Sequence, residues 1–195
     1  MLTMGEVIKI LNDLTGGDAV IVTDVGQHQM VACRYAKLNH TRSNITSGGL
    51  GTMGFALPAA IGAKFGALDK TVVAVIGDGG FQMTLQELGT IMQSGVDVKI
   101  LILNNHFLGM VRQWQELFNE RRYSFVDIQS PDFVKVASGY GIDGKSISDR
   151  ADLVGALKEM LDHKGSFLLE VMVTKENNVF PMVPQGCSVS EIRLK

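Results

Sequence analysis

Two stretches decide how this chain folds: Thr71-Val72-Val73-Ala74-Val75-Ile76-Gly77-Asp78-Gly79-Gly80 and Val98-Lys99-Ile100-Leu101-Ile102-Leu103-Asn104-Asn105. Residues 71–76 form a continuous run of the kind that suits a strand buried on both faces, as parallel strands between helix layers are. Residues 98–103 read as the next such strand, and both runs are too short to span a bilayer. Asp78 and Asn105 lie 27 positions apart, room for one crossover helix between neighbouring parallel strands. A carboxylate and an amide oxygen are thereby expected at the same sheet edge.

Outward from these strands, helical and strand patterns alternate. Met4, Val7, Ile8, Leu11 and Leu14 share one face of a helix over residues 1–14, where Thr3 and Glu6 are spaced as a capping box. Residues 19–23 form a short β-branched run ending in Asp24. Helices are expected over 27–36, 53–65, 85–93, 109–118 and 153–161, and a strand or loop over 44–47. Thr84 and Glu87 are placed as a second capping box. Ser130-Pro131 reads as the N-cap and first residue of a helix running through Ala137. A last strand covers 167–173, and the tail from Lys175 onward, with Pro181 and Pro184, reads as irregular. The pattern predicts an α/β fold in three layers: a mainly parallel sheet with helices on both faces. No internal repeat, low-complexity stretch or second domain is visible.

Composition narrows the class. The 195 residues are 46% hydrophobic, enough for one sizeable core, and the formal net charge is −2. No basic excess points to nucleic acid, and no leader-like or membrane-spanning segment is seen. Cys33 and Cys187 form no CxxC or His-rich cluster, which favours free thiols in a reducing cytoplasm over a disulfide scaffold or zinc site.

The chemistry concentrates where the two buried strands end. Ligands of open α/β sheets bind beyond the carboxyl ends of strands. Mg²⁺ takes a few hard oxygen ligands together with phosphate oxygens and water. Glycines beside Asp78 let backbone N–H groups reach a phosphate, and a following helix N-terminus favours negative charge. By contrast, Gly49-Leu50-Gly51-Thr52-Met53-Gly54 fits G-x-G-x-x-G but lacks a strong preceding strand and a suitably placed acidic residue, so NAD-type binding is not expected.

The pattern GDG, helix, strand, NN resembles the signature of thiamin-diphosphate enzymes. Further strings are similar to the acetohydroxyacid (acetolactate) synthase family: Asp24-Val25-Gly26-Gln27-His28-Gln29-Met30, Thr46-Ser47-Gly48-Gly49-Leu50-Gly51-Thr52-Met53-Gly54, Leu108-Gly109-Met110-Val111 with Trp114, and Pro181-Met182-Val183-Pro184. The resemblance implies Mg²⁺ held by Asp78, Asn105 and the carbonyl of Phe107. It places Gly26, Gln27, His28, Gly79 and Gly80 near the diphosphate. The Gly51 carbonyl would meet the aminopyrimidine, Met53 would sit under the bent cofactor, and Gly109 and Met110 would line it. Trp114 resembles the tryptophan that shapes the acceptor pocket.

The implied reaction condenses pyruvate with a second 2-oxo acid, pyruvate or 2-oxobutyrate, with loss of CO₂, in branched-chain amino-acid biosynthesis. Another thiamin-diphosphate carboligase or decarboxylase, or a non-catalytic split-gene partner subunit, remains an alternative. The resemblance covers a thiamin-diphosphate domain at residues 1–186, leaving 187–195 as a tail. It implies that the N-terminal pyrimidine-binding domain with the activating glutamate, and the central FAD domain, are absent from this chain. No catalytic residue is therefore assigned within it. A dimer or tetramer, and a regulatory subunit, belong to the same expectation.

Overall fold

A computed structural model describes residues 1–194; Lys195, the last residue of the expected tail, lies outside the described residues. Six strands form one sheet: β1 (Val20–Thr23), β2 (Asn44–Thr46), β3 (Val72–Gly77), β4 (Lys99–Asn104), β5 (Asp143–Ile147) and β6 (Phe167–Met172). Their order is β2-β1-β3-β4-β6-β5 and every pairing is parallel. The chain moves outward in one direction from β1 to β2 and in the other from β3 onward. The switch point therefore falls between β1 and β3, where ligands of such sheets bind.

Side chains alternate along each central strand. Val73, Val75, Leu101, Leu103, Leu169 and Val171 pack into one apolar cluster with Val7, Ile8 and Leu11 of α1 (Met4–Thr15), Ala32 of α2 (Gln27–Tyr35) and Leu157 and Met160 of α8 (Leu153–Asp162). Val72, Ala74, Ile76, Ile100, Ile102 and Leu168 face the opposite layer. That layer holds α3 (Ala56–Gly66), α4 (Asp78–Thr84), α5 (Leu88–Ser94) and α7 (Phe133–Gly139). The two faces are sealed independently, which gives the three layers that the unbroken apolar strands call for. α6 (Gly109–Phe118) follows β4 at the rim.

Local chemistry explains where the elements differ from expectation. α1 begins where Thr3 accepts the Glu6 N–H at 3.3 Å, but the Glu6 carboxylate turns away to pair with Arg150, so only half of the capping box exists. α3 starts at Ala56 rather than residue 53, because Gly54 has φ of 81°, a left-handed conformation that no helix continues through. The Thr84–Glu87 capping box does not form: the Thr84 hydroxyl donates to the Gly54 carbonyl and Glu87 accepts from Thr90. Instead α4 opens directly at Asp78 and passes through a single 3₁₀ turn into α5. Asp132, not Ser130, caps α7, accepting from the Lys135 N–H at 3.0 Å. β5 was not expected at all. Its Asp-Gly-Lys-Ser-Ile sequence lies at the sheet edge, and only Ile147 is buried. The tail carries one bridge, Met182 to Arg193, and a 3₁₀ turn at Val189–Glu191. Among the described residues, no helix is long and apolar enough to cross a membrane.

Candidate functional site

In the sheet register Thr23 lies opposite Val75, and Gly77 opposite Leu103. Asp24, Asp78 and Asn105, each just beyond its strand, therefore emerge on one rim. A cleft of about 180 Å³ opens there. Gly26, Gln27 and His28 from the start of α2 line it, with Gly51 and Met53 from the loop before α3. Asp78, Gly79 and Gly80 of α4 form its floor side, and Asn105, Phe107, Gly109 and Met110 close it from the β4–α6 connection. Trp114 does not line it; this residue sits a turn beyond Met110, 41% exposed and stacked on Phe118 with ring centroids 4.8 Å apart. The expected set had not included Met4, Val25, Leu103, Leu108 and Val111, which add apolar wall. Their apolar character alone gave no reason to separate them from the core.

The β4–α6 connection is built by its two asparagines. Asn104 Oδ1 accepts the His106 N–H at 2.9 Å, and Asn105 Oδ1 accepts the Phe107 N–H at 3.2 Å. These successive side-chain turns hold His106 at φ of 57°, a conformation unfavourable for most residues without such support. Asn104 Nδ2 donates to buried Glu170 at 2.8 Å, so this asparagine ties the sheet, whereas Asn105 faces the cleft.

Asp78 is 1% exposed and starts α4, with the Ser130 hydroxyl donating to its Oδ2 at 3.3 Å. The residue expected to cap a helix thus serves the carboxylate instead. Burial pushes the Asp78 carboxyl up to about 6, against the opposing pull of its own backbone N–H, His106, Ser130 and the Gly79 N–H. His28 is 4% exposed, and burial drives its imidazole down to about 4, so it is neutral at pH 7. Among the described residues its Nε2 has no hydrogen-bond partner. An unpartnered buried nitrogen costs free energy unless something in the cleft meets it.

The glycines are spaces as much as hinges. A Cβ on Gly77 would stand 3.0 Å from His28 Nδ1, one on Gly79 2.8 Å from Leu108, and one on Gly80 1.9 Å from Asp24 Oδ2. Asp24, fully buried, accepts the Ala56 N–H at 3.2 Å through Oδ1 and so caps α3 from β1. Burial raises its carboxyl, offset by backbone N–H groups around Gly54 and Ala56. Asp24 therefore anchors the start of α3 through Oδ1 while Oδ2 stands against Gly80 of α4, a placement that no local motif shows.

Across residues 24–171 the chain matches the family described as thiamine pyrophosphate enzyme, C-terminal TPP binding domain. The chain belongs to that family. Similar to this thiamine pyrophosphate domain is the acetolactate synthase large subunit of Lactococcus lactis subsp. lactis, 46% identical over 96% of this chain and 32% of its own length. The acetolactate synthase isozyme 2 large subunit of Escherichia coli is 46% identical over 95% of this chain and 34% of its own. The mitochondrial acetolactate synthase catalytic subunit of Saccharomyces cerevisiae is 47% identical over 94% and 26%. The chain thus spans about a third or less of these relatives. Among solved structures, a thiamine diphosphate-dependent 4-hydroxybenzoylformate decarboxylase from Rhodococcus jostii superposes with a TM-score of 0.82 at 28% identity, covering 89% of this chain and 33% of that one. The expected α/β fold and the resemblance to acetolactate synthases are both met.

Proposed function

We propose that this chain is the cofactor-anchoring C-terminal domain of an acetolactate synthase catalytic subunit and holds thiamin diphosphate through Mg²⁺. One observation carries the reading: Asp78 and Asn105 leave adjacent parallel strands into one glycine-walled cleft at the sheet's switch point. The donor set suits the group. Among the described residues no cluster of three or more His, Cys, Asp or Glu exists, which disfavours a closed all-protein metal cage. A carboxylate, an amide oxygen and a backbone carbonyl sharing Mg²⁺ with phosphate oxygens need no such cluster. On this reading Asp78, Asn105 Oδ1 and the Phe107 carbonyl hold the ion. Gly26, Gln27, Gly79 and Gly80 admit the diphosphate, and the orphaned His28 Nε2 supplies a neutral contact to it.

Thiamin diphosphate, when bound, provides the nucleophilic carbon and the electron sink for decarboxylating a 2-oxo acid. The work of this chain is positional. Gly51, with φ of 63°, would offer its backbone carbonyl to the rings, and Met53, Gly109 and Met110, which line the same cleft, would shape that wall. Misplacement by about 1 Å can lower a rate roughly 100-fold. The cleft is smaller than the roughly 300–1,000 Å³ of pockets that enclose a small ligand, which supports a site completed by further domains. These would carry the activating glutamate and FAD. Trp114, exposed on the rim, would shape the acceptor pocket in that assembly.

The remaining features follow the acetolactate synthase reading: pyruvate and 2-oxobutyrate as substrates, a role in branched-chain amino-acid biosynthesis, a dimer or tetramer, and a regulatory subunit. The domain would occupy residues 1–186, with a tail beyond. Cys33 and Cys187 are free and exposed, which supports a cytoplasmic setting. Identity of 46% to synthases against 28% to the decarboxylase favours the synthase. Calorimetry tests the reading: the chain should bind thiamin diphosphate with Mg²⁺ and far more weakly with a chelator. Equal affinity in both would sink it. Without partner domains it should form no acetolactate from pyruvate.

Metal binding should also depend on pH. Mg²⁺ needs the ionised carboxylate, so below about 6, where Asp78 holds its proton, binding must displace that proton. The apparent Mg²⁺ affinity should fall about tenfold per pH unit below that point, and stay flat above pH 7. A flat profile through pH 5 would count against Asp78 as a ligand.

A further inference from the structure

Three buried side-chain amides form an unbroken chain beneath the cleft. Val179 donates its backbone N–H to Gln113 Oε1 at 2.8 Å, while Gln113 Nε2 donates back to the Val179 carbonyl at 3.1 Å. Gln27 Nε2 donates to that same Gln113 Oε1 at 3.1 Å and to the Asn177 carbonyl at 3.3 Å. Asn105 Nδ2 donates to Gln27 Oε1 at 3.3 Å. Gln113, Gln27 and Asn105 are 1%, 5% and 3% exposed, so water does not complete these bonds.

The direction of this chain is set from its end. A backbone N–H can only donate and a backbone carbonyl can only accept. Val179 therefore dictates which end of the Gln113 amide is oxygen. Gln113 Oε1 then demands the NH₂ of Gln27, which turns the Gln27 oxygen toward Asn105. The Asn105 NH₂ is held there, and among the described residues its Oδ1 engages only the Phe107 N–H. An amide oxygen has two lone pairs, so one is left for a cation. Gly109 makes the arrangement possible: it lies one helical turn before Gln113, and a Cβ there would stand 2.2 Å from Gln27 Oε1 and 3.1 Å from Asn105 Nδ2.

We propose that Gln113 is a positioning residue for the metal site. It relays the polarity of the Val179 backbone through Gln27 to Asn105 and so keeps the Asn105 oxygen free for the ion. The metal half of this inference rests on the thiamin diphosphate reading above; the relay itself does not.

Two readouts separate the two. In the first, ¹⁵N NMR of the ligand-free chain follows hydrogen exchange of the Asn105 side-chain amide and the Val179 N–H. Gln113→Leu should speed both by at least about tenfold: Val179 loses its buried acceptor, and Gln27, released from Gln113, no longer holds its oxygen toward the Asn105 amide. Gln113→Glu, measured at low enough pH for its buried carboxyl to be protonated, accepts from Val179 and Gln27 through one oxygen and donates to the Val179 carbonyl through the other, and should keep Asn105 protected. Gln27→Glu is the second route if Gln113→Leu does not fold. It sets an acceptor against Gln113 Oε1 and should speed Val179 exchange by a similar factor of about ten. Unchanged exchange in the folded variants overturns the relay.

In the second readout, Mn²⁺ binding in the presence of thiamin diphosphate is followed by electron paramagnetic resonance. Gln113→Leu should weaken it by about 10-fold or more, as loss of an outer-shell partner does, while Gln113→Glu stays within about threefold of the unmodified chain. If Gln113→Leu alters exchange but not Mn²⁺ affinity, the positioning role falls. No Mn²⁺ binding by the unmodified chain instead removes the thiamin diphosphate reading, and the metal half with it.

Discussion

Replacing Asp78 should abolish magnesium-dependent cofactor binding while making the empty chain more stable. Losing even an outer-shell partner of a metal costs about 10–100-fold in affinity, so loss of the carboxylate in Asp78→Ala should cost at least about 100-fold by calorimetry. The stability effect has the opposite sign. Burial disfavours the charge of the folded Asp78 carboxyl and pushes it up to about 6, above its ordinary value of 3.8. A raised folded value means that this group favours the native state below about 3.8, and that the advantage is lost as pH rises through about 6. At pH 8 the empty chain therefore carries a desolvated charge, at a cost of up to about 3 kcal/mol. Asp78→Asn preserves shape and the Ser130 contact without that charge. It should raise Tm by up to roughly 6–12 °C at pH 8 and by nearly nothing at pH 4. A lower Tm at pH 8, or undiminished magnesium dependence in Asp78→Ala, would contradict the account. His28 behaves oppositely: its depressed value adds stability above about 6.5 that is lost as pH falls toward about 4.

Gly80→Ala should be the most damaging of the small substitutions. Alanine in place of a helical glycine ordinarily stabilises by about 1 kcal/mol. Here the new Cβ would fall 1.9 Å from Asp24 Oδ2 and 2.9 Å from its Cγ. Asp24 cannot simply swing away, because Oδ1 caps α3 at Ala56. Overpacking costs about 1–3 kcal/mol and loss of a cap about 0.5–2. The clash outweighs the propensity gain, leaving a net loss of about 0.5–4 kcal/mol and a Tm lowered by up to roughly 16 °C. Gly62→Ala is the control: it lies in α3 with open space around the added carbon, and should raise Tm by a few degrees. Thermal denaturation of both separates steric conflict from propensity. Equal and positive shifts would refute the role given to Asp24.

The central sheet was legible because β3 and β4 carry the unbroken apolar runs Val72–Ile76 and Ile100–Leu103, of strand length, and because a carboxylate and an amide stand at their ends. β5 was not, since an edge strand with charged, exposed Asp143 and Lys145 has no apolar face to alternate. α4 was missed for a related reason. Gly79 and Gly80 argue against helix, yet the close approach of Asp24 leaves room for nothing larger at Gly80. Ser130 reads as a cap from its neighbour Pro131, but its hydroxyl is drawn to a carboxylate 52 positions away. The twelve residues expected around the cofactor all came from contiguous strings, and all twelve line one cleft. Asp24 lay within one of those strings and Gln113 next to Trp114, neither with an assigned role, because their partners lie far along the chain: Gln27 is 86 positions from Gln113, and Ala56 is 32 from Asp24. Pairings of that range leave no local spacing to read.

Trp114 is the sole indole in the sequence. It stands half in solvent on the helix that also carries Met110 and Gln113. Its emission is therefore a built-in optical reporter of the rim. A second protein layer settling over α6 would exclude water from that ring and shift its fluorescence to the blue, so assembly could be timed in a stopped-flow instrument without attaching any dye.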